Sequence, residues 1–572
     1  MTHQPKGFPL AFYVANGMEI FERLAWYGFF ALSSVYMTTP AEQGGAGFSE
    51  AQRGALQGII PFFLYLLPVV TGALGDRYGY RRMFLLSFAI MAPGYYLMGQ
   101  AEGFGSFFLA MLAVACGAAC FKPIVVGTIA RTTVAANRGL GFGIFYTMVN
   151  IGGFLGPLVA GYMRAISWDA VFLMSSLWIC LNFLPALFLY REPQQVRSTN
   201  KLSQVLSEAQ QVLGNGRFAM LLFPAIMLLM AAGVGWLGYQ PAFIAIAVWL
   251  VINLLWNRLC APNARHWLAQ PIRVSNLPFA LYLLILTGFW TVYNQLFYTL
   301  PLFIRDYVDT GDLLSLLAWL GEDTLAFLAH VDVGALADKL QTLDAALPLE
   351  ALRLQLVHLK VNVPHEVLAG ALSQLGQSAS PAELAAHIAQ DWAGRYRQIN
   401  PEYLINLDFA AIVLLQILVS YVCRRLHTFK VLVAGIVIMG GGIWLAALNG
   451  QFVLGGSLMV VVILSIAMGE MLTSPKSQEY VASIAPKQQS AMYMGYYFVS
   501  MALGFLFAGL LSGWGYENLA KQQSRPEWMW GLFALIALVS AVALWTFNRW
   551  QTRARQDRAD LSVDTLSEAG NT

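Results

Sequence analysis

The chain is a succession of apolar runs of roughly 18–28 residues, each long enough to cross a hydrocarbon layer as a helix. They fall near 8–38, 54–75, 82–101, 104–130, 139–163 and 169–190, then near 218–236 and 240–257. A last set follows near 277–305, 407–423, 430–448, 452–475, 488–513 and 527–549. That makes about fourteen spans, grouped as six, two and six. Composition agrees: 58% of the 572 residues are hydrophobic and 11% are charged, against roughly 25% charged in soluble domains. The fold class predicted is all-α and integral to the lipid bilayer, two six-helix bundles with two extra helices between them. Such paired bundles suit a protein whose halves rock about a central site. The short polar start Met1-Thr-His-Gln-Pro-Lys6 suits a first span that stays as an anchor, not a cleaved signal.

Basic clusters orient the prediction. Arg77 with Arg81 and Arg82, Arg131 with Arg138, Arg191 to Lys201, Arg258 to Arg273, Arg424-Arg425 with Lys430, and Arg549 to Arg558 all fall on one side. Basic loops mark the cytoplasmic face, so both termini are expected there, in a cell membrane of bacterial inner-membrane type. Their role as loop markers also removes nucleic acid as a reading of the net charge of +3. The expected organisation is a first bundle over 1–192, a cytoplasmic linker over 193–217, two extra helices over 218–257 and a second linker over 258–276. The seventh bundle helix occupies 277–308, an insertion 309–404, the remaining bundle 405–550 and a tail 551–572.

The insertion is different in kind. Leucines recur there at helical spacing, and between Asp309 and Glu402 twelve acids stand against five bases. It reads as a small acidic helical domain on the external face, a cap or a docking surface for an external protein partner. Ser380-Pro381-Ala382-Glu383 predicts a capping box with proline opening a helix. The spacing of His330, His358, His365 and His387 matches no metal-ligand motif, and the five cysteines lie in or beside apolar spans and suggest no disulfide framework.

Charges inside the spans carry the functional signal. Glu19, Glu22, Arg23 and Trp26 share one helical face at i, i+3, i+4 and i+7. Each charge costs roughly 2.5–3.5 kcal/mol near the bilayer centre, so that face must line a protein interior or cavity. Lys122 lies deep in the fourth span and needs an acid or a substrate carboxylate. Asn150 sits beside Gly152 and Gly153, Tyr65 lies in the second span, and Trp290, Asn294 and Gln295 form a polar-aromatic patch in the seventh. Glu470 precedes Ser474-Pro475, where a broken helix with freed carbonyls is expected. A lone asparagine or tyrosine is ordinary helix-helix glue, and ion pairs account for part of the charge. Five charges of mixed sign over three spans point instead to a cavity that works.

These residues resemble a known family. Glu19-x-x-Glu22-Arg23-x-x-Trp26-Tyr27-Gly28 is similar to the first-helix signature of the proton-dependent oligopeptide transporters, within the major facilitator superfamily. The likeness continues through Gly75-Asp76-Arg77, Phe121-Lys122-Pro123, Phe145-Tyr146 with Asn150, Phe289-Trp290 with Gln295, Gly469-Glu470 with Ser474-Pro475, and Ala485-Pro486-Lys487. It spans both bundles and the two extra helices; the insertion lies outside it. The resemblance implies no enzyme and no cofactor, but symport of di- and tripeptides driven by a proton gradient. It implies that Arg23 and Lys122 hold the peptide carboxylate, Asn150 and Glu470 its amino end, and Tyr27, Tyr65, Trp290 and Tyr497 the side chains. Glu19, Glu22, Arg23 and Lys122 would then couple protons.

Departures from the family pattern are paired. The family carries an acid at the position of Asn294 and a basic residue at that of Phe30, which together form an external ion-pair gate. Both are absent here, so external closure is expected to rest on packing or on the insertion. Ile124 replaces an asparagine, and Lys476 and Glu479 stand where the family is mostly apolar. The alternatives are the same scaffold moving another carboxylated solute or working as an antiporter, and a receptor-like protein that uses the insertion to bind a partner.

Overall fold

The computed structural model describes residues 7–134, 137–192, 214–262, 264, 266–344, 346–448, 455–485 and 490–569. Most of the first linker, Pro486-Lys487 and the side chains of Asp76 and Arg138 lie outside the described residues. The first half comprises α1 (Leu10–Thr38), α2 (Glu50–Leu66), α3 (Pro68–Tyr78), α4 (Tyr80–Gly99), α5 (Phe104–Thr132), α6 (Arg138–Ile166) and α7 (Trp168–Leu181). The extra helices are α8 (Gly216–Val234) and α9 (Tyr239–Leu259). The second half opens with α10 (Leu277–Tyr293), α11 (Gln295–Tyr298) and α12 (Leu300–Tyr307). Six helices of the insertion follow: α13 (Gly311–Leu317), α14 (Glu322–Leu328), α15 (Val333–Gln341), α16 (Leu349–Val357), α17 (His365–Gln377) and α18 (Pro381–Arg395). The second half then resumes with α19 (Pro401–Ile405), α20 (Leu407–Cys423), α21 (Thr428–Ala447), α22 (Gly455–Ile484), α23 (Ser490–Gly515) and α24 (Pro526–Ala569). Among the described residues eleven helices are long and apolar enough to cross a membrane. The three earliest predicted spans are helical too, as α1, the pair α2–α3, and α4.

Prolines account for most departures from the predicted spans. The expected run 54–75 is two helices because Pro68, which has no N–H to give, opens α3 after Leu67. Upstream, α2 starts earlier than expected, under a reciprocal cap between Ser49 and Gln52. The seventh bundle helix breaks twice, at Asn294 and at Thr299, and Pro301 follows. Pro475, by contrast, does not break α22, which runs on to Ile484. The carbonyl it orphans is that of Met471, and Gln416 Nε2 on α20 donates to it at 3.4 Å. The predicted tail beyond residue 550 continues α24 as helix as far as Ala569.

The insertion has its own core, built from Leu336, Leu340, Leu352, Leu356, Val361, Val363, Leu368, Ile388 and Trp392. Helix α18 begins at Pro381 as predicted, but Ser380 makes no side-chain cap; its N–H instead donates to Ser378 Oγ at 3.2 Å. The chain enters and leaves this domain side by side. Thr310 N donates to Gln398 Oε1 at 2.6 Å, and Ile399 N donates to Thr310 Oγ1 at 2.9 Å. Several contacts seat the domain on the bundle, among them Phe327 against Tyr403 at 5.0 Å. Asp312 accepts from the N–H groups of Gly456 and Ser457 at the start of α22, at 3.0 and 2.8 Å. His358 Nε2 lies 3.7 Å from Asp306 Oδ1 on α12.

Within the first half, α1 and α6 cross at Gly28 and Gly156. A Cβ added at Gly156 would lie 2.9 Å from the Gly28 nitrogen, so both positions need glycine. The halves meet mainly through α2 against α23, with α6 against α19 and α20.

Candidate functional site

The α1 charges sit in mid-helix and are buried. Glu19 is 3% exposed, Glu22 0% and Arg23 4%. Arg23 Nε lies 3.2 Å from Glu19 Oε1, and the guanidinium also pairs with Glu22. Helical spacing makes this possible, because i and i+4 stand on one face. The set is not saturated: Glu19 Oε2 and Glu22 Oε1 have no hydrogen-bond partner. Lys122 on α5 belongs to the same cluster. Its Nζ lies 4.2 Å from the centre of the Tyr65 ring, and Arg23, Glu22 and Glu19 are the charges that act on it.

The second half supplies an acidic pole. Glu470 projects from the middle of α22 with Oε2 unpartnered. Asp408, in the first turn of α20, is 0% exposed and receives the Tyr293 hydroxyl on Oδ2 at 3.4 Å. Among the described residues no cation stands within ion-pair distance of either acid. The base-containing cluster and the acid-only cluster therefore belong to different halves.

Aromatic rings join the two. Tyr27 meets Phe409 edge-on at 4.8 Å, and Tyr65 stacks on Phe505 at 5.0 Å. Phe30, one turn above Tyr27, packs on Phe297 at 5.3 Å and Tyr298 at 5.7 Å. These contacts close the cleft toward the end that carries the insertion. The break of the seventh bundle helix helps: Pro301 leaves the Phe297 carbonyl without its helical donor, and Ser34 Oγ on α1 supplies one at 2.9 Å. Arg53, fully buried, donates to the Tyr298 carbonyl at 2.9 Å and to Ser512 Oγ at 3.0 Å, while Glu50 accepts from Arg53 and Lys521. Closure thus rests on rings and on buried polar ties, with Phe30 and Asn294 at the positions where charges were missing.

The remaining predicted residues divide. Asn150 donates to the Tyr146 carbonyl of its own helix at 2.8 Å. Trp290 lies 3% exposed with its ring nitrogen unpartnered, edge-on to Tyr497 at 6.4 Å. Tyr497 is fully buried and its hydroxyl is shared with Ser477 Oγ at 3.0 Å. Asn294 donates to the Trp290 carbonyl at 2.7 Å and leaves its own carbonyl oxygen free, so it serves first as a helix end. Sequence reasoning missed Asp408, Tyr293 and the ring of Phe409. A charge two residues into a span looks like a solvated boundary, and only the packing of α20 against α6 and α22 reveals its burial.

The family model described as Major Facilitator Superfamily matches residues 20–348 and 367–566. A peptide transporter of Yersinia enterocolitica is 25% identical over 306 residues, 51% of this chain and 59% of that protein. A di-/tripeptide transporter of Lactococcus lactis is 26% identical over 33% of this chain and 37% of its own length. Dipeptide and tripeptide permease A of Escherichia coli is 27% identical over 33% and 38%. The matches therefore span well under two thirds of these relatives. In fold, the chain resembles a POT family transporter solved in complex with 5-aminolevulinic acid, with TM-score 0.62, 14% identity and coverage of 95% and 98%. A second POT family structure, in complex with a thioalcohol-conjugated peptide, gives the same TM-score of 0.62 and covers 95% and 96%.

Proposed function

The chain belongs to the major facilitator superfamily, and we propose that it is of the proton-dependent oligopeptide transporter branch and imports di- and tripeptides with protons by alternating access. One observation carries the reading. Unpartnered buried atoms of a base-containing cluster on α1 and of an acid-only cluster on α22 and α20 belong to opposite halves, joined by rings of both. A short zwitterion has complementary ends, and buried polar atoms without partners are stabilised by a ligand that completes them.

In this account the peptide carboxylate binds Arg23 and Lys122, and the ammonium binds Glu470, with Asn150 beside it. Tyr27, Tyr65, Trp290, Tyr497 and Asn294 line the pocket around the side chains. A carboxylate arriving at Lys122 and Arg23 competes with Glu19 and Glu22 for those cations. A glutamate deprived of its cation takes up a proton, which links substrate binding to proton entry. No further cofactor is needed, since the proton gradient drives the cycle. The basic loops support a topology with both termini on the cytoplasmic side of a bacterial inner membrane and the insertion outside.

A thermal-shift series of dipeptides, tripeptides and organic acids tests the substrate class. Peptides should stabilise the wild-type protein and lose that effect in Lys122→Ala. Stabilisation by organic acids alone would favour the other reading of the scaffold, as a carrier of carboxylated solutes.

A further inference from the structure

Asp408 belongs to the acid-only cluster but is given no task in the scheme above, and its surroundings are those of a working group. It is 0% exposed, its Oδ1 has no hydrogen-bond partner, and Glu470 is the other acid that acts on it. Tyr293 on α10 faces both: its hydroxyl donates to Asp408 Oδ2 at 3.4 Å and Glu470 is within its reach. The other titratable groups turned toward this pole are Tyr27 on α1, Tyr65 on α2, Tyr146 on α6 and Tyr497 on α23. Tyrosines bring no positive charge. A phenol donates a single hydrogen, so Tyr293 can serve one carboxyl and not the other. Two carboxylates in one apolar site, with no cation between them, cannot both stay ionised at modest cost.

We propose that Asp408 is a second proton-carrying group of the transport cycle, which keeps the Asp408–Glu470 pair at one negative charge against one substrate ammonium. The proton passes from water on the insertion side to the Asp408 carboxylate, travels there with the substrate, and leaves to water on the opposite side. Glu470 remains the anion that meets the amine. The pair then has one charge to offer a singly charged amine, with none left uncompensated in the apolar site. This rests on the peptide-import reading, but part of its test does not.

Infrared difference spectra of the substrate-free protein in lipid, wild type against Asp408→Asn, read the proton directly. The expected result is a carboxylic-acid carbonyl band, sensitive to deuterium exchange, that disappears in the variant. Tyr293→Phe, which retains the acid, should shift the band and not remove it, and so guards against a folding defect in Asp408→Asn. A wild-type spectrum that loses no acid band in Asp408→Asn would overturn the proposal. In proteoliposomes, reversal potentials should show one proton fewer per peptide in Asp408→Asn while peptide still stabilises the protein. Unchanged stoichiometry would also overturn it. Absence of any peptide flux in the wild type would instead defeat the import reading, leaving the infrared band to decide the protonation of Asp408.

Discussion

Arg164 on α6 donates from one guanidinium nitrogen to both carboxylate oxygens of Glu402 on α19, at 3.0 and 3.1 Å. The pair is buried, and Arg164 also lies 4.6 Å from the centre of the Trp168 ring. It joins the two halves at the end that carries the insertion. Glu402, grouped by sequence with the solvated acids of the insertion, is therefore part of the closure between halves.

Breaking one side of that pair should be costly. Arg164→Gln leaves Glu402 buried and unpaired, a loss of about 3–5 kcal/mol. Adding Glu402→Gln should restore most of it, because the charge left without compensation is then gone. Thermal unfolding of the two single variants and the double variant measures the coupling.

Phe30 makes ring contacts to Phe297 and Tyr298 at the closed end. Phe30→Ala should destabilise this closed end by about 3–5 kcal/mol, the usual cost of truncating a buried phenylalanine. Unfolding should shift accordingly, and a thiol reagent added from the insertion side should reach a cysteine introduced at Ser34 faster.

How the insertion is seated should depend on pH through His358. Burial, then the neighbouring Arg305 charge, holds its pKa down from 6.5 to about 4. The undocked histidine binds a proton that the docked one refuses, so docking is fully stable above about pH 6.5. Stability is lost as pH falls from about 6.5 to about 4, with no further change below. The charged groups around it are Arg305, Asp306, Lys521 and Glu50. Hydrogen exchange in α16 across this range should show the loss, and His358→Gln should flatten it.

The insertion should be removable. Its entry and exit strands are tied at Thr310 with Gln398 and Ile399, and its core is separate from that of the bundle. A short glycine-serine link replacing residues 311–398 should leave a folded, monodisperse bundle that retains uptake. Loss of an external partner with uptake intact would mark the domain as a docking module.

What the sequence disclosed follows from contrast. Glu19, Glu22, Arg23 and Lys122 stand out because each interrupts a long apolar run, and the structure brings them together. Asp408 and Glu402 were missed because charges at the edge of a run look solvated. Arg53 and Glu50 were missed for the same reason, since they precede the apolar part of α2. Pro475 misled in the opposite way: a side chain from another helix, Gln416, satisfies the carbonyl that the proline frees, and no local pattern foretells it. The broken seventh bundle helix carried a local signal in Pro301, but its use was invisible, because Ser34 lies 263 residues away along the chain.

Coupling of peptide movement to protons through the α1 glutamates can be read in transport. Uptake into proteoliposomes with Glu22→Gln tests it most directly, measured once under an inward proton gradient and once as peptide counterflow without one. Gradient-driven accumulation should be abolished while counterflow continues near the wild-type rate. Uphill accumulation that persists in Glu22→Gln would contradict it.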